Sequence, residues 1–204
     1  KKRLHNCVAI RGDVSKYNEA NLVIKKFNKY FEKLDILVCN VGSGKAKKKI
    51  PDIKEWHQSF DINFWSTVNI INSSKKILIK SNSSIICISS ICGLENIKGA
   101  PIPYSVAKSA LNSFVVNQSK FFGNFKVRIN AIAPGNIMFN GSTWSKKMKK
   151  SPSNTKKYIN KNVALKILGK TSDISNMTLY LASDEAKYIT GSIFKIDGGQ
   201  LKSW

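Results

Sequence analysis

Between Ile85 and Phe114 the chain changes character in a way that narrows the folds open to it. Ile85 to Ile88 is an unbroken apolar run of strand length, as expected for a strand buried on both faces. It ends in Ser89 and Ser90, a loop carrying Gly93 follows, and the spacing predicts a helix opening near Pro103 and Tyr104. Tyr104 and Lys108 are four residues apart, so on a helix their side chains share one face, about 5–6 Å apart at Cβ. In open α/β sheets ligands sit at the carboxyl ends of the strands. A hydroxyl at a strand end and a Tyr/Lys pair at the start of the next helix can therefore meet at one point. A carbonyl that is being reduced by hydride builds negative charge on oxygen and must receive a proton. Free tyrosine, with a pKa of about 10, exchanges protons poorly near neutrality, and a nearby ammonium favours its phenolate. On this reading Lys108 supplies the bias and Ser90 holds the substrate oxygen. A Tyr-x-x-x-Lys pair alone also arises by chance on amphipathic helices; the preceding strand and Ser-Ser-x-x-Gly turn set this one apart.

With those residues in place, the segment resembles the active-site stretch of the short-chain dehydrogenase/reductase family, particularly its 3-oxoacyl-(acyl carrier protein) reductase-like members. The resemblance implies a catalytic Ser, Tyr and Lys acting with NADP(H) or NAD(H), and Tyr104 and Lys108 match directly. Ser90, followed by Ile91, Cys92 and Gly93, matches the family serine better than Ser89 does. Asp13 and Val14 match a pair that lies along the cofactor's adenine. Asn40, Val41 and Gly42 match the family's Asn-Ala-Gly beside the ribose, with valine for alanine. Asn63 matches a helix asparagine that supports a water leading protons to the lysine. Pro134, Gly135 and Ile137, in the run that starts at Asn130, match a segment whose backbone faces the nicotinamide. Phe139 stands where the family commonly has a threonine near the cofactor phosphates. The closing Asp197-Gly198-Gly199 matches the family's last strand and subunit contact, which implies a homodimer or homotetramer. Read as residues alone, Asp13 is equally an ordinary turn or capping aspartate, Gly42 a turn glycine, and Asn63 a poor helix former without a forced role.

The implied fold is α/β, a doubly wound, mostly parallel, Rossmann-like sheet in a single domain over residues 1–204. Short strands are expected at Cys7–Ile10, Ile36–Cys39, Val127–Ile132 and Ile193–Ile196. Helical spacing runs through Asn18–Phe31, from a cap at Asp52 to Ile71, and over Thr171–Ala182 with a cap at Thr171 or Ser172. The stretch Ser142–Tyr158 reads as a lysine-rich lid over the substrate or as a disordered excursion, and the run from Lys45 to Lys49 reads as solvated loop. The Gly-x-x-x-Gly-x-Gly run that presents backbone N–H groups to a pyrophosphate does not occur. Without the strand and loop that precede it in such folds, the strands at Cys7 and Ile36 would expose unpaired edges. The expectation is an N-terminally truncated domain, with roughly 40–50 residues belonging upstream by the size of a βαβ unit.

Composition excludes several other classes. With 204 residues and 42% hydrophobic content the chain can bury a sizeable core, and it has no apolar run near membrane-spanning length. The four cysteines, Cys7, Cys39, Cys87 and Cys92, form no Cys-x-x-Cys pair, and the two histidines, His5 and His57, complete no zinc site. The net charge of +22 invites a nucleic-acid reading. Arg3, Arg11 and Arg128 are the only arginines, however, and the lysines are spread among asparagines and isoleucines with no nucleic-acid-binding motif. The expected partners are a small-molecule or acyl-carrier-bound carbonyl, with no specific nucleic acid and no membrane. The expected compartment is the cytoplasm or an organelle stroma. The main alternatives are a reductase of sugars or other small alcohols and a catalytically silent subunit of an oligomer.

Overall fold

In a computed structural model, residues 7–44 and 50–202 are described, so the lysine run at 45–49 lies outside them. Four parallel strands form the sheet: β1 (Ile36–Cys39), β2 (Ser84–Ile88), β3 (Arg128–Pro134) and β6 (Ile193–Ile196), adjacent in that order. The register pairs Cys39 with Cys87, Cys87 with Ala131, and Ile132 with Phe194. Alternation along the strands divides the core. Cys39, Ile85, Cys87, Ile129 and Ala131 point to one face, where they pack with Ile71 and Leu78 of α3 (Ser66–Ser81) and Leu111, Val115 and Phe122 of α4 (Ile102–Gly123). Ile86 and Ile132 point to the other face and meet Leu181 of α7 (Thr171–Ala182) and Ala186. Parallel strands covered on both faces are therefore apolar at successive positions rather than alternately.

Three elements complete the frame. α1 (Tyr17–Phe27) buries Ala20 and Ile24 and packs on α3. α2 (Ile53–Phe60) starts where the Asp52 carboxylate accepts from the Glu55 N–H at 2.9 Å, as the sequence predicts. The long helix expected beyond it is interrupted by a π-helical turn over Asp61–Trp65 before α3 continues. After β3 the chain makes β4 (Ile137–Met138), α5 (Thr143–Lys150), α6 (Pro152–Asn162) and β5 (Gly169–Lys170), and β4 pairs with β5.

Three expectations are corrected. Residues 7–10 do not form a strand: Cys7, Val8 and Ala9 are exposed, and no described strand lies beside them to complete a ladder. The 142–158 excursion is two helices rather than a disordered loop, because Ser142 caps α5 by accepting from Ser145 N–H at 3.0 Å and Thr155 and Ile159 of α6 are buried. The α7 start is fixed by Asp173, whose carboxylate accepts from the Lys170 N–H at 2.7 Å, and not by a Thr171 or Ser172 cap. No helix among the described residues is long and apolar enough to cross a membrane.

Candidate active site

At the carboxyl end of β2 the chain passes through Ser89 and Ser90 into a single 3-10 turn, Ile91–Gly93. The Ser90 Oγ accepts from the Cys92 N–H at 3.1 Å, which fixes its rotamer and leaves its own hydrogen to be donated elsewhere. The Ser90 hydroxyl also lies beside the Tyr104 phenol and favours its ionised form. Lys108, 3% exposed on the next turn of α4, donates from Nζ to the Ile88 carbonyl at 2.7 Å. The three residues singled out in the sequence thus meet at one end of the sheet.

The electrostatics differ from the expectation in one respect. Burial pushes the Tyr104 phenol above its usual value; the neighbouring Ser90 hydroxyl opposes this and the Cys92 thiol adds to it. The sequence reading had Lys108 lowering that pKa, but its ammonium is directed at the Ile88 carbonyl. Lys108 itself is lowered to about 8, chiefly because burial penalises the charged form, with the neighbouring Cys87 and Cys39 pulling the other way.

The loop after β1 covers this pair. A β-carbon placed on Gly42 would come within 3.3 Å of Lys108 Nζ and 3.2 Å of Asn63 Oδ1, so a larger residue would crowd the space beside the ammonium. Gly44 lies against the Tyr104 ring, where an added β-carbon would sit 3.7 Å from Cζ. Asn63, buried in the π-turn, holds the loop from both sides: its Oδ1 accepts from Ser43 N–H at 2.8 Å and its Nδ2 donates to the Ser43 carbonyl at 3.0 Å. The amide thus pins the loop, and its oxygen and the Lys108 ammonium flank the same point at Gly42.

The residues matched to cofactor contacts fall into two groups. Val14, Asn40 and Val41 line an apolar cleft of about 340 Å³ between α1 and β1, walled also by Ile24, Val38 and Thr67. The cleft opens along the exposed edge of β1 and does not include Gly42. Asp13 is not in that wall. Its carboxylate accepts from Ser15 N–H at 3.1 Å and Ser15 Oγ at 2.7 Å and lies 3.7 Å from Lys16 Nζ, so it shapes the turn into α1. Pro134, Gly135 and Ile137 lie at the carboxyl end of β3, beside that of β2. Gly135 is held there by close packing: its N–H donates to Ile196 at 2.9 Å, and a β-carbon would come within 2.8 Å of Asp197. Ile137 pairs with Gly169.

Sequence reasoning missed two buried asparagines. Asn69 of α3 donates to the Ser15 carbonyl at 2.8 Å and ties the 14–15 segment to the core. Asn112 sits one turn beyond Lys108 on the face already singled out, and that i+4 spacing was the available signal.

A family model described as Enoyl-(Acyl carrier protein) reductase matches residues 1–200. The chain belongs to the short-chain dehydrogenase/reductase family. This dehydrogenase/reductase is 32% identical over 189 residues to the 3-oxoacyl-(acyl-carrier-protein) reductase FabG of Chlamydia trachomatis, across 92% of this chain and 73% of that one. It is 29% identical over 168 residues to the isoepoxydon dehydrogenase patN of Penicillium expansum, across 82% and 63%. The solved structure of ElxO with NADP bound superposes at a TM-score of 0.85 with 27% identity, covering 94% of this chain and 77% of that one. The chain is accordingly an oxidoreductase of this family with a Rossmann-like fold.

Proposed function

We propose that this short-chain dehydrogenase/reductase reduces the carbonyl of a 3-oxoacyl thioester carried on an acyl carrier, with NADP(H) or NAD(H). The observation that carries the reading is the meeting of Ser90, Tyr104 and Lys108 at the carboxyl end of a parallel sheet, under a loop pinned by Asn63. A nicotinamide dinucleotide supplies the hydride when bound. The chain's own residues do the rest. Tyr104, kept as the phenol at neutral pH by burial, is in the proton-donating form that reduction needs. Ser90, its oxygen already engaged by Cys92, donates its hydrogen to the carbonyl oxygen and stabilises the charge that grows there. Lys108, still mostly an ammonium at neutral pH, restores positive potential around the phenol as its proton leaves. Val14, Asn40, Val41 and Gly42 would hold the dinucleotide on the β1 side, and Pro134, Gly135 and Ile137 would face it from β3.

The carrier is favoured over a small ketone by charge. No aspartate or glutamate occurs between Glu95 and Asp173. In the middle of that stretch Lys146, Lys147, Lys149, Lys150, Lys156 and Lys157 stand exposed on α5 and α6. An acidic carrier would meet this surface favourably, with an on-rate that falls as salt rises. A homo-oligomer is also part of the reading, supported by the exposed apolar side chains Ile62, Trp65, Ile102 and Val106 on neighbouring helices. A second reading, a dehydrogenase of sugars or other small alcohols, draws on Phe139, half exposed after β4, and the stacked Trp144 and Tyr158, which suit a compact apolar substrate.

The test follows NADPH and NADH oxidation with acetoacetyl thioesters, free and carrier-bound, for the full natural chain and its Tyr104→Phe variant. Carrier-dependent turnover that collapses in the variant is the expected result. Turnover only with small ketones or sugars moves the assignment to the second reading, and absence of both turnover and cofactor binding removes the enzymatic one.

A further inference from the structure

We infer that Asn112, together with Ser89, is a positioning residue that sets the place of Ser90 against Tyr104. The inference rests on the reading of Ser90, Tyr104 and Lys108 as the reactive set, and no part of the resemblance assigns Asn112 a role. Tyr104, Lys108 and Asn112 follow one another at four-residue intervals, so they form a single stripe on α4. Asn112 is 7% exposed and Ser89 4%, and their polar groups are satisfied by each other and by the turn between them. Ser89 Oγ donates to Asn112 Oδ1 at 2.6 Å, and Asn112 Nδ2 donates to the Gly93 carbonyl at 3.1 Å. One amide thus ties α4 to the residue before Ser90 and to the residue three beyond it.

The turn has no slack in the remaining direction. Gly93 packs backbone to backbone on α4, where an added β-carbon would come within 2.6 Å of the Lys108 carbonyl carbon. Within the turn, Gly93 N–H donates to the Ser90 carbonyl at 3.0 Å and Cys92 N–H to Ser90 Oγ at 3.1 Å. Ser90 is therefore suspended between two points that are both fastened to the helix bearing Tyr104 and Lys108. A leucine at position 112 would serve the core and the helix better, since asparagine has poor helix propensity and burying an amide is costly unless it is hydrogen-bonded. What the amide supplies and a leucine does not is direction.

The consequence is a chemical one. The groups facing the Tyr104 phenol are the Ser90 hydroxyl and the Cys92 thiol from the turn, with Lys108 one helical turn away on α4. Of these, Ser90 favours the ionised phenol, so loosening the turn raises the pKa of Tyr104 and weakens the hold on the substrate oxygen.

The test compares Asn112→Leu, Ser89→Ala, Ser90→Ala and the Asn112→Leu/Ser90→Ala double variant, in the full natural chain. Asn112→Leu is expected to lower kcat about tenfold to a hundredfold, the scale of a small misplacement of a reacting group, with the KM for cofactor unchanged. Combined with Ser90→Ala it should add little, because both act through one hydroxyl. Independent, fully additive losses would overturn the inference. A second measurement needs no turnover: tyrosine labelled at Cζ is titrated by NMR, with Tyr104 identified by the signal lost in Tyr104→Phe. An upward shift of its pKa in Asn112→Leu and, more weakly, in Ser89→Ala supports the positioning role even if no carbonyl proves to be reduced, in which case only the proposed function fails. An unmoved Tyr104 titration in both variants overturns the positioning role whatever the parent turns over. Should Asn112→Leu fail to fold, Ser89→Ala, which removes a single hydroxyl from a strand end, carries the comparison alone.

Discussion

An interior strand and an edge strand of the sheet stand in different surroundings. In β3, five of the seven residues are buried, and β6, the 3-10 turn and α4 close around it. In β1, at the edge, Ile36 and Val38 are 47% and 43% exposed, and the segment before α1 runs past without pairing. The groups read as reacting stand on the closed side or where it meets the open one, and Ser90 and Lys108 are each held by a part-buried hydrogen bond. The groups read as holding a dinucleotide, Val14, Asn40 and Val41, stand on the open side around an apolar cleft. The difference teaches that the residues read as reacting are fixed by contacts within these elements, whereas the β1 edge is left uncovered by the described strands.

That contrast predicts a graded series of effects. The largest is at Tyr104: Tyr104→Phe should lower kcat by about 10²–10⁴-fold, the usual worth of a general acid, with unchanged circular dichroism and melting temperature. Retained turnover would break the assignment of the closed side as the reactive one. Next is Lys108. The unfolded lysine keeps its proton to 10.5 and the folded one only to about 8, so the unfolded state binds more protons in that window and stability rises with pH across it. The gap corresponds to on the order of 3 kcal/mol. Lys108→Met should flatten the rise between pH 8 and pH 10.5, as read by chemical denaturation. The same ionisation should make the parent's reductive rate fall above about pH 8. Gly93→Ala should follow, costing about 2 kcal/mol through overpacking against the α4 backbone and lowering kcat as Ser90 moves. The smallest effect belongs to the exposed face of α6: Lys161→Gln should change stability by less than about 0.5 kcal/mol, as exposed substitutions do. A loss there as large as that of Gly93→Ala would mean that the surface helices are as demanding as the turn beneath Ser90.

Legibility from sequence follows the same division. β1 and β6 carry the bounds that their apolar runs predict, and β2 begins one residue earlier, at Ser84. Such strands are read easily because burial on both faces leaves an unbroken apolar signal. Residues 7–10 carry a weaker version of that signal, and the reading failed because a strand is completed by its neighbour and not by its own side chains. The α5–α6 helices were obscured by lysines whose exposed positions mask the buried Thr155 and Ile159. At the candidate site, Tyr104 and Lys108 were legible from spacing. The pKa direction of Tyr104 was not, because it depends on how deeply the phenol is buried and where the lysine points. Asn63 was picked out, but its hold on Ser43 needed the path of a loop twenty residues away.

The π-turn at Asp61–Trp65 makes the helical arm sensitive to length as well as to composition. Closing a backbone ring over five residues instead of four lodges one extra residue in the arm, and each residue turns an α-helix by about 100°. Five residues of this wide turn advance the chain by about the same angle as four residues of an α-helix, so the turn absorbs its extra residue and keeps α2 and α3 nearly in phase. What the extra residue changes is local: it widens the backbone where Asn63 reaches Ser43. Deleting a neighbour of Asn63 within the turn would therefore be felt by the loop over Lys108 and hardly at all by the packing of the two flanking helices.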